Sequence, residues 1–153
     1  LTMTLKQLIK LPLLLLFFSL SSCNSAEPSR IYQQSSLDNY ENTLQNLDIA
    51  ISEHNYRIIH RSNIGQAIRD RGDKTYPLST VISFCNITYA KEMMEINSDL
   101  LNDMPCIVTV REEKDSVIVG TKLMIENTAN SAQNEFAARI NSNLKSIVEA
   151  TVE

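Results

Sequence analysis

The sequence predicts an α+β fold: a two-layer sandwich with helices packed on one mixed or antiparallel sheet, in the order β-α-β-α-β-α-β-β-α. Three observations lead there. Apolar residues recur at spacings of three and four in two stretches, Leu37, Tyr40, Leu44, Leu47, Ile51 and Phe136, Ile140, Leu144 with Ile147 or Val148, which is the stripe of a helix facing a core. Short runs rich in β-branched and aromatic residues, such as Leu78 to Cys85, lie between those stretches. Two such runs, Pro105 to Glu112 and Ser116 to Ile125, are parted only by Glu113-Lys114-Asp115, a hairpin spacing.

Taken in order, Ile31 to Ser35 reads as a first short strand. Ser36 is the expected N-cap of the first helix, with Asp38 favourable in its first turn. Asn55 ends that helix, because Asn tolerates the left-handed conformation common at helix ends. Tyr56 to Arg61 alternates as a strand, and Ile64 to Arg71 reads as a short helix or a turn, ended by Gly72. After the strand Leu78 to Cys85, Asn86 is placed to cap a helix from Ile87 to Asn97. Ala90, Met93, Met94 and Leu100 or Leu101 are expected to face inward. Pro105 opens the next strand, where it costs no ladder hydrogen bond. Gly120 in the following strand marks a possible bulge. Asn130 or Ser131 caps the final helix.

The first 22 residues differ from the rest. Lys6 and Lys10 precede Leu11-Pro-Leu-Leu-Leu-Leu-Phe-Phe-Ser-Leu, an apolar segment too short to span a bilayer. It ends in Leu20-Ser21-Ser22-Cys23, which resembles the bacterial lipobox. The division that follows is a signal peptide over 1–22, a lipidated tether over 23–30 and one α+β domain over 31–153. Lipid attachment is assigned to Cys23. Two or three acyl chains, at roughly 0.8 kcal/mol per buried methylene, hold a protein stably where one does not. The implied location is the bacterial cell envelope. Asn24 in place of Asp after the lipidated residue points to the periplasmic face of the outer membrane. The membrane lipid is thus the first expected partner.

Composition excludes several functions. The chain has 14 basic and 18 acidic residues, and two of the basic ones, Lys6 and Lys10, lie in the leader. A nucleic-acid surface needs clustered Lys and Arg, so none is expected. There is no Trp, and the three glycines are not spaced as a phosphate-binding loop. Two histidines, His54 and His60, do not make a multi-histidine metal site or a Ser-His-Asp arrangement. No cofactor and no catalytic residue is assigned.

Cys85 and Cys106 are the remaining candidate site, as a disulfide or as ligands. With Cys23 lipidated, two cysteines are left in an oxidising compartment, and a bridge would add roughly 3 kcal/mol. Strand parity argues against it: if Phe84 and Val108 both face the helices, the two cysteines point to opposite sides. Soft-metal ligation with Met104, Met93 or His60 would suit Cu(I). Thiol redox chemistry has less support, since there is no Cys-x-x-Cys and only a helix N-terminus beside Cys85 to activate it. The plain alternative is two small buried hydrophobes.

Cys85-Asn86 opening a helix with Ala90, then Met104-Pro105-Cys106 opening Ile107-Val108-Thr109-Val110, resembles the family called domain of unknown function 302. The resemblance covers roughly Tyr40 to Ile125. Ile87 stands where that pattern has Pro, Asn55 where it has Gly, and Met104 where Leu is usual. The resemblance implies an α+β domain, often paired as a homodimer, with no agreed activity and no catalytic residues. The functional expectation is a lipid-anchored envelope protein whose domain binds a small ligand or a protein partner without catalysis. The alternative is a soft-metal or thiol-redox protein using Cys85 and Cys106.

Overall fold

The computed structural model describes residues 29–153. The stretches expected as signal peptide (1–22) and tether (23–30), with Cys23, lie outside the described residues apart from the last two of the tether. The elements run β1 (Ile31–Ser36), α1 (Tyr40–Glu53), β2 (Arg57–Ser62), α2 (Ile64–Asp70), β3 (Ser79–Cys85), α3 (Ile87–Ile96), β4 (Cys106–Glu113), β5 (Ser116–Lys122) and α4 (Ser131–Val152), with a 3-10 helix over Ser98–Asp103. The α+β class and the order of strands and α-helices are those the sequence predicts. The five strands form one sheet in the order β1-β5-β4-β3-β2, and every neighbouring pair is antiparallel.

One face of the sheet carries the core. Phe84 pairs with Cys106, Ile82 with Val108, and Val110 with Val119, so their side chains share a face. Ile82, Phe84, Val108, Val110 and Val119 are fully buried there. Helices α1 and α4 cover them, with Leu47 and Ile51 from α1 and Ile140, Leu144, Ile147 and Val148 from α4. Both Ile147 and Val148 are buried, since the stripe of a 22-residue helix against a sheet is wide. On the other face Ile31, Gln33, Arg57 and Lys122 are exposed.

Several local expectations are corrected. The N-cap of α1 is Asn39, whose side chain accepts from the Asn42 amide at 2.8 Å. Ser36 instead extends β1, paired with Val117 and buried. Leu37 therefore sits in the turn between β1 and α1 and is fully exposed. Gly120 stays in register with Gln33 and Thr109, so it makes no bulge. The bulge is in β2, where the register slips between Ile58 and His60. Met94 is 40% exposed, whereas Met93 and Leu100 are buried and Leu101 is exposed. The fifth strand ends at Lys122 rather than Ile125, and Asn130 caps α4.

Candidate ligand pocket

The strand register gathers one end of the sheet: the start of β2, the end of β3, the start of β4 and the end of β5. Helix α3 leaves from this end, and the 3-10 helix returns to it. Between them and α4 lies a pocket of about 250 Å3. The strand ends supply Tyr56, Cys85, Cys106 and Ile107, and the segment after β5 supplies Leu123 and Met124. Helix α3 adds Tyr89, Ala90 and Met93, and α4 adds Phe136, Ile140 and Leu144. Met104 and Pro105 close the side towards the 3-10 helix, with the exposed Asp103 and Lys122 at the border.

Local chemistry fixes these walls. Asn86 Oδ1 accepts from the Thr88 and Tyr89 amides at 2.9 and 3.2 Å, capping α3. Its Nδ2 donates to the Asn55 carbonyl at 2.9 Å, which ties the start of α3 to the start of β2. Asn55 itself has φ of 63°, the left-handed turn expected after α1. Tyr56 packs edge-on against Phe84, with ring centroids 5.3 Å apart, and its hydroxyl accepts from Asn143 at 3.2 Å. On α4 the buried Asn141 accepts from the Met124 amide at 2.7 Å and donates to the Met124 carbonyl at 2.9 Å. That side chain replaces a strand partner for the backbone beyond β5.

Phe84 and Val108 are both fully buried on the helix-facing side, and Cys106 shares that side as the partner of Phe84. Cys85 follows Phe84 on the alternate position, but it is the last residue of β3 and borders the same pocket where the chain turns into α3. Both cysteines are free thiols. Burial, with a smaller contribution from the neighbouring Cys85, pushes the Cys106 thiol from its ordinary 9.0 up to about 11. Burial also raises Cys85. Desolvation pushes the Tyr56 phenol up to about 12, against the lowering effect of its Asn143 hydrogen bond. All three groups are therefore neutral at physiological pH.

Met93 and Met104, both named as possible ligands, also line the pocket, and so does Met124. His60 does not: it is exposed on β2, paired with Ser83. Sequence reasoning missed Tyr56, Met124 and Asn141 as parts of the site. The Met-Pro-Cys opening of β4 and the Asn86 cap were the available signals, because both mark the sheet end where the pocket forms.

Among curated proteins nothing matches the chain. A solved structure described as the crystal structure of uncharacterized conserved protein DUF302 from Bacillus stearothermophilus shares the fold, with a TM-score of 0.71 at 16% identity over 80% of this chain and 98% of that one. The family model described as domain of unknown function DUF302 matches residues 32–151. Since that match spans almost the whole described domain, the chain belongs to the DUF302 family.

Proposed function

We propose that this is a lipid-anchored protein of the bacterial cell envelope, held through Cys23 on the periplasmic face of the outer membrane, whose domain binds a small ligand without transforming it. The observation that carries the binding reading is the pocket of about 250 Å3 at the α3 end of the sheet. Its potential nucleophiles, Cys85, Cys106 and Tyr56, are kept protonated by burial, which suits packing and hydrogen bonding better than attack on a substrate. The anchor rests on Leu20-Ser21-Ser22-Cys23. Expression of the full chain in a bacterium with two membranes tests it. The expected product is membrane-bound, starts at Cys23 and carries the mass of attached acyl groups. A C23S variant with the same mass processing and membrane partition overturns the anchor.

A homodimer is the proposed assembly. Its support is the family resemblance together with the half-buried Val81 and Ile107 on the sheet face opposite the helices. Light scattering of the C23S protein checks it, and a monomer at all concentrations sinks it.

A second reading is soft-metal binding. Both cysteines and three of the four methionines among the described residues line the same pocket. Thiolates and thioethers select Cu(I) over harder ions. Elemental analysis of protein purified without chelators decides it. Stoichiometric copper lost in C106S supports the metal reading, and metal-free protein that fails to take up Cu(I) removes it.

A further inference from the structure

We propose that the pocket holds a hydrocarbon tail of a bilayer lipid, and that the end of the sheet carrying it faces the membrane surface. The proposal rests on the anchor at Cys23 and on the pocket being a binding site. The chain enters the domain beside the pocket: Ile31 pairs with Lys122, and the Leu123 amide donates to the Arg30 carbonyl at 2.7 Å. Lys122 and Leu123 are themselves pocket residues. From Cys23 to Arg30 the chain spans at most about 25 Å when fully extended. An acylated Cys23 therefore keeps this end of the domain close to the bilayer.

The surface around the pocket has the matching chemistry. Ile87, Leu101 and Ile125 are 80%, 55% and 49% exposed, and each is the sequence neighbour of a lining residue, Asn86, Asn102 and Met124 respectively. The opposite end of the sheet also exposes Leu37, Ile64 and Tyr76, but its cleft is polar, lined by residues such as Asp38, Glu41, Arg69 and Glu112. Exposed apolar residues beside the lining, a largely apolar interior and the tether thus coincide at one end only, with the charged Asp103 and Lys122 at the same border.

The interior suits a tail rather than a headgroup. Ala90, Met93, Phe136, Ile140 and Leu144 present carbon and sulfur. The charged and amide side chains at the pocket that are exposed, Asn102, Asp103 and Lys122, lie at its border, where a headgroup and not a tail would meet them. The volume exceeds the roughly 150 Å3 of an apolar cavity that takes benzene. Methionine walls adapt to a flexible occupant. Moving a tail from bilayer to pocket changes its hydrophobic burial little. Occupancy therefore depends on the high local lipid concentration that the anchor provides.

The test reconstitutes the full lipidated chain in phosphatidylethanolamine–phosphatidylglycerol vesicles doped with a phospholipid bearing a diazirine on one acyl chain. After irradiation, adducts are mapped by peptide mass spectrometry. Adducts are expected on pocket residues of α3, the Met104 to Ile107 segment and α4. A90F, which fills the pocket, should reduce them at least tenfold. An I87S/L101S variant, which leaves the pocket lining unchanged, should reduce them severalfold, so the result does not hang on A90F folding. Adducts confined to Ile87, Leu101 and Ile125, adducts unchanged in A90F that circular dichroism shows to be folded, or capture of the protein's own Cys23 acyl chains in place of the probe overturn the proposal. The anchor is read separately from the acylated mass. A correct mass without pocket adducts sinks the lipid tail alone. An unacylated, unanchored protein sinks the functional reading beneath it.

Discussion

Asn86 and Asn55 join two elements that are distant in sequence, the Asn86 Nδ2 donating to the Asn55 carbonyl at 2.9 Å while Asn86 Oδ1 caps α3. One side chain thereby fixes the helix start, the turn before β2 and the edge of the pocket between them. N86A removes all three hydrogen bonds and should lower stability by about 2 kcal/mol. N86D keeps the capping oxygen and loses the donor, so it should cost about half as much. Urea denaturation of the C23S protein checks the order. Equal loss in the two variants would assign the whole effect to the bond with Asn55.

Gly65 is required by close approach. A Cβ there would lie 2.4 Å from the Pro77 carbonyl oxygen, 2.5 Å from the Ser79 amide and 2.7 Å from the Leu78 Cα, all of them backbone atoms. The helix α2 and the entry to β3 must separate to admit it. G65A should destabilise by about 3 kcal/mol, measurable as a lower thermal midpoint. The exposed L37S is the control and should fall within about 0.5 kcal/mol of the parent. A neutral G65A would mean that α2 shifts freely.

These two positions show what was legible in the sequence. The helices could be read because their stripes, such as Leu44, Leu47 and Ile51, follow from local spacing, and the caps at Asn86 and Asn130 follow from residue chemistry. The choice between Ser36 and Asn39 could not be read locally. It depends on Ser36 pairing with Val117, 81 positions away, which keeps the residue in the sheet. Gly120 suggested a bulge, but it stays in register with Gln33 and Thr109, and a Cβ built there would lie 3.4 Å from each, close to ordinary contact. Parity placed Cys85 and Cys106 on different sides of their strands, and that reasoning is sound within a strand. It says nothing of a pocket at the strand end, where Cys85 gives way to α3. The site draws on residues from Tyr56 to Leu144, and no sequence spacing encodes their meeting.

The raised acids make the fold sensitive to alkali. Cys106 goes from 9.0 to about 11 and Tyr56 from 10.0 to about 12 on folding. Both are neutral in the folded and unfolded chain below pH 9, so their contribution is flat there. Above pH 9 the unfolded thiol ionises first, and above pH 10 the unfolded phenol does the same. The unfolded state then binds fewer protons, and stability falls as pH rises through this window to about 12. A shift of this size in Cys106 corresponds to roughly 2–3 kcal/mol. C106A should flatten the lower part of the profile, from pH 9 to 11, and Y56F the upper part. A profile unchanged in both variants would contradict the burial assigned to these groups.

Asn141 is the residue on which the pocket wall beyond β5 depends. It holds the Met124 amide and carbonyl at 2.7 and 2.9 Å and also donates to Glu126 at 2.6 Å. Being almost fully buried, it leaves those backbone groups without a partner when truncated. N141A should therefore cost about 2–3 kcal/mol, more than an exposed cap removal, because two part-buried backbone groups lose their partner together. N141D keeps the acceptor for the Met124 amide but sets a carboxylate against the Met124 carbonyl and Glu126. It should be as destabilising as N141A near neutral pH and recover as pH falls and the acid gains a proton to donate. Hydrogen exchange at the Met124 amide gives the local reading: protection should drop in both variants while amides in the centre of β4, such as that of Val110, stay protected. Loss of protection throughout the sheet would make Asn141 a general core residue instead of the support of this one wall.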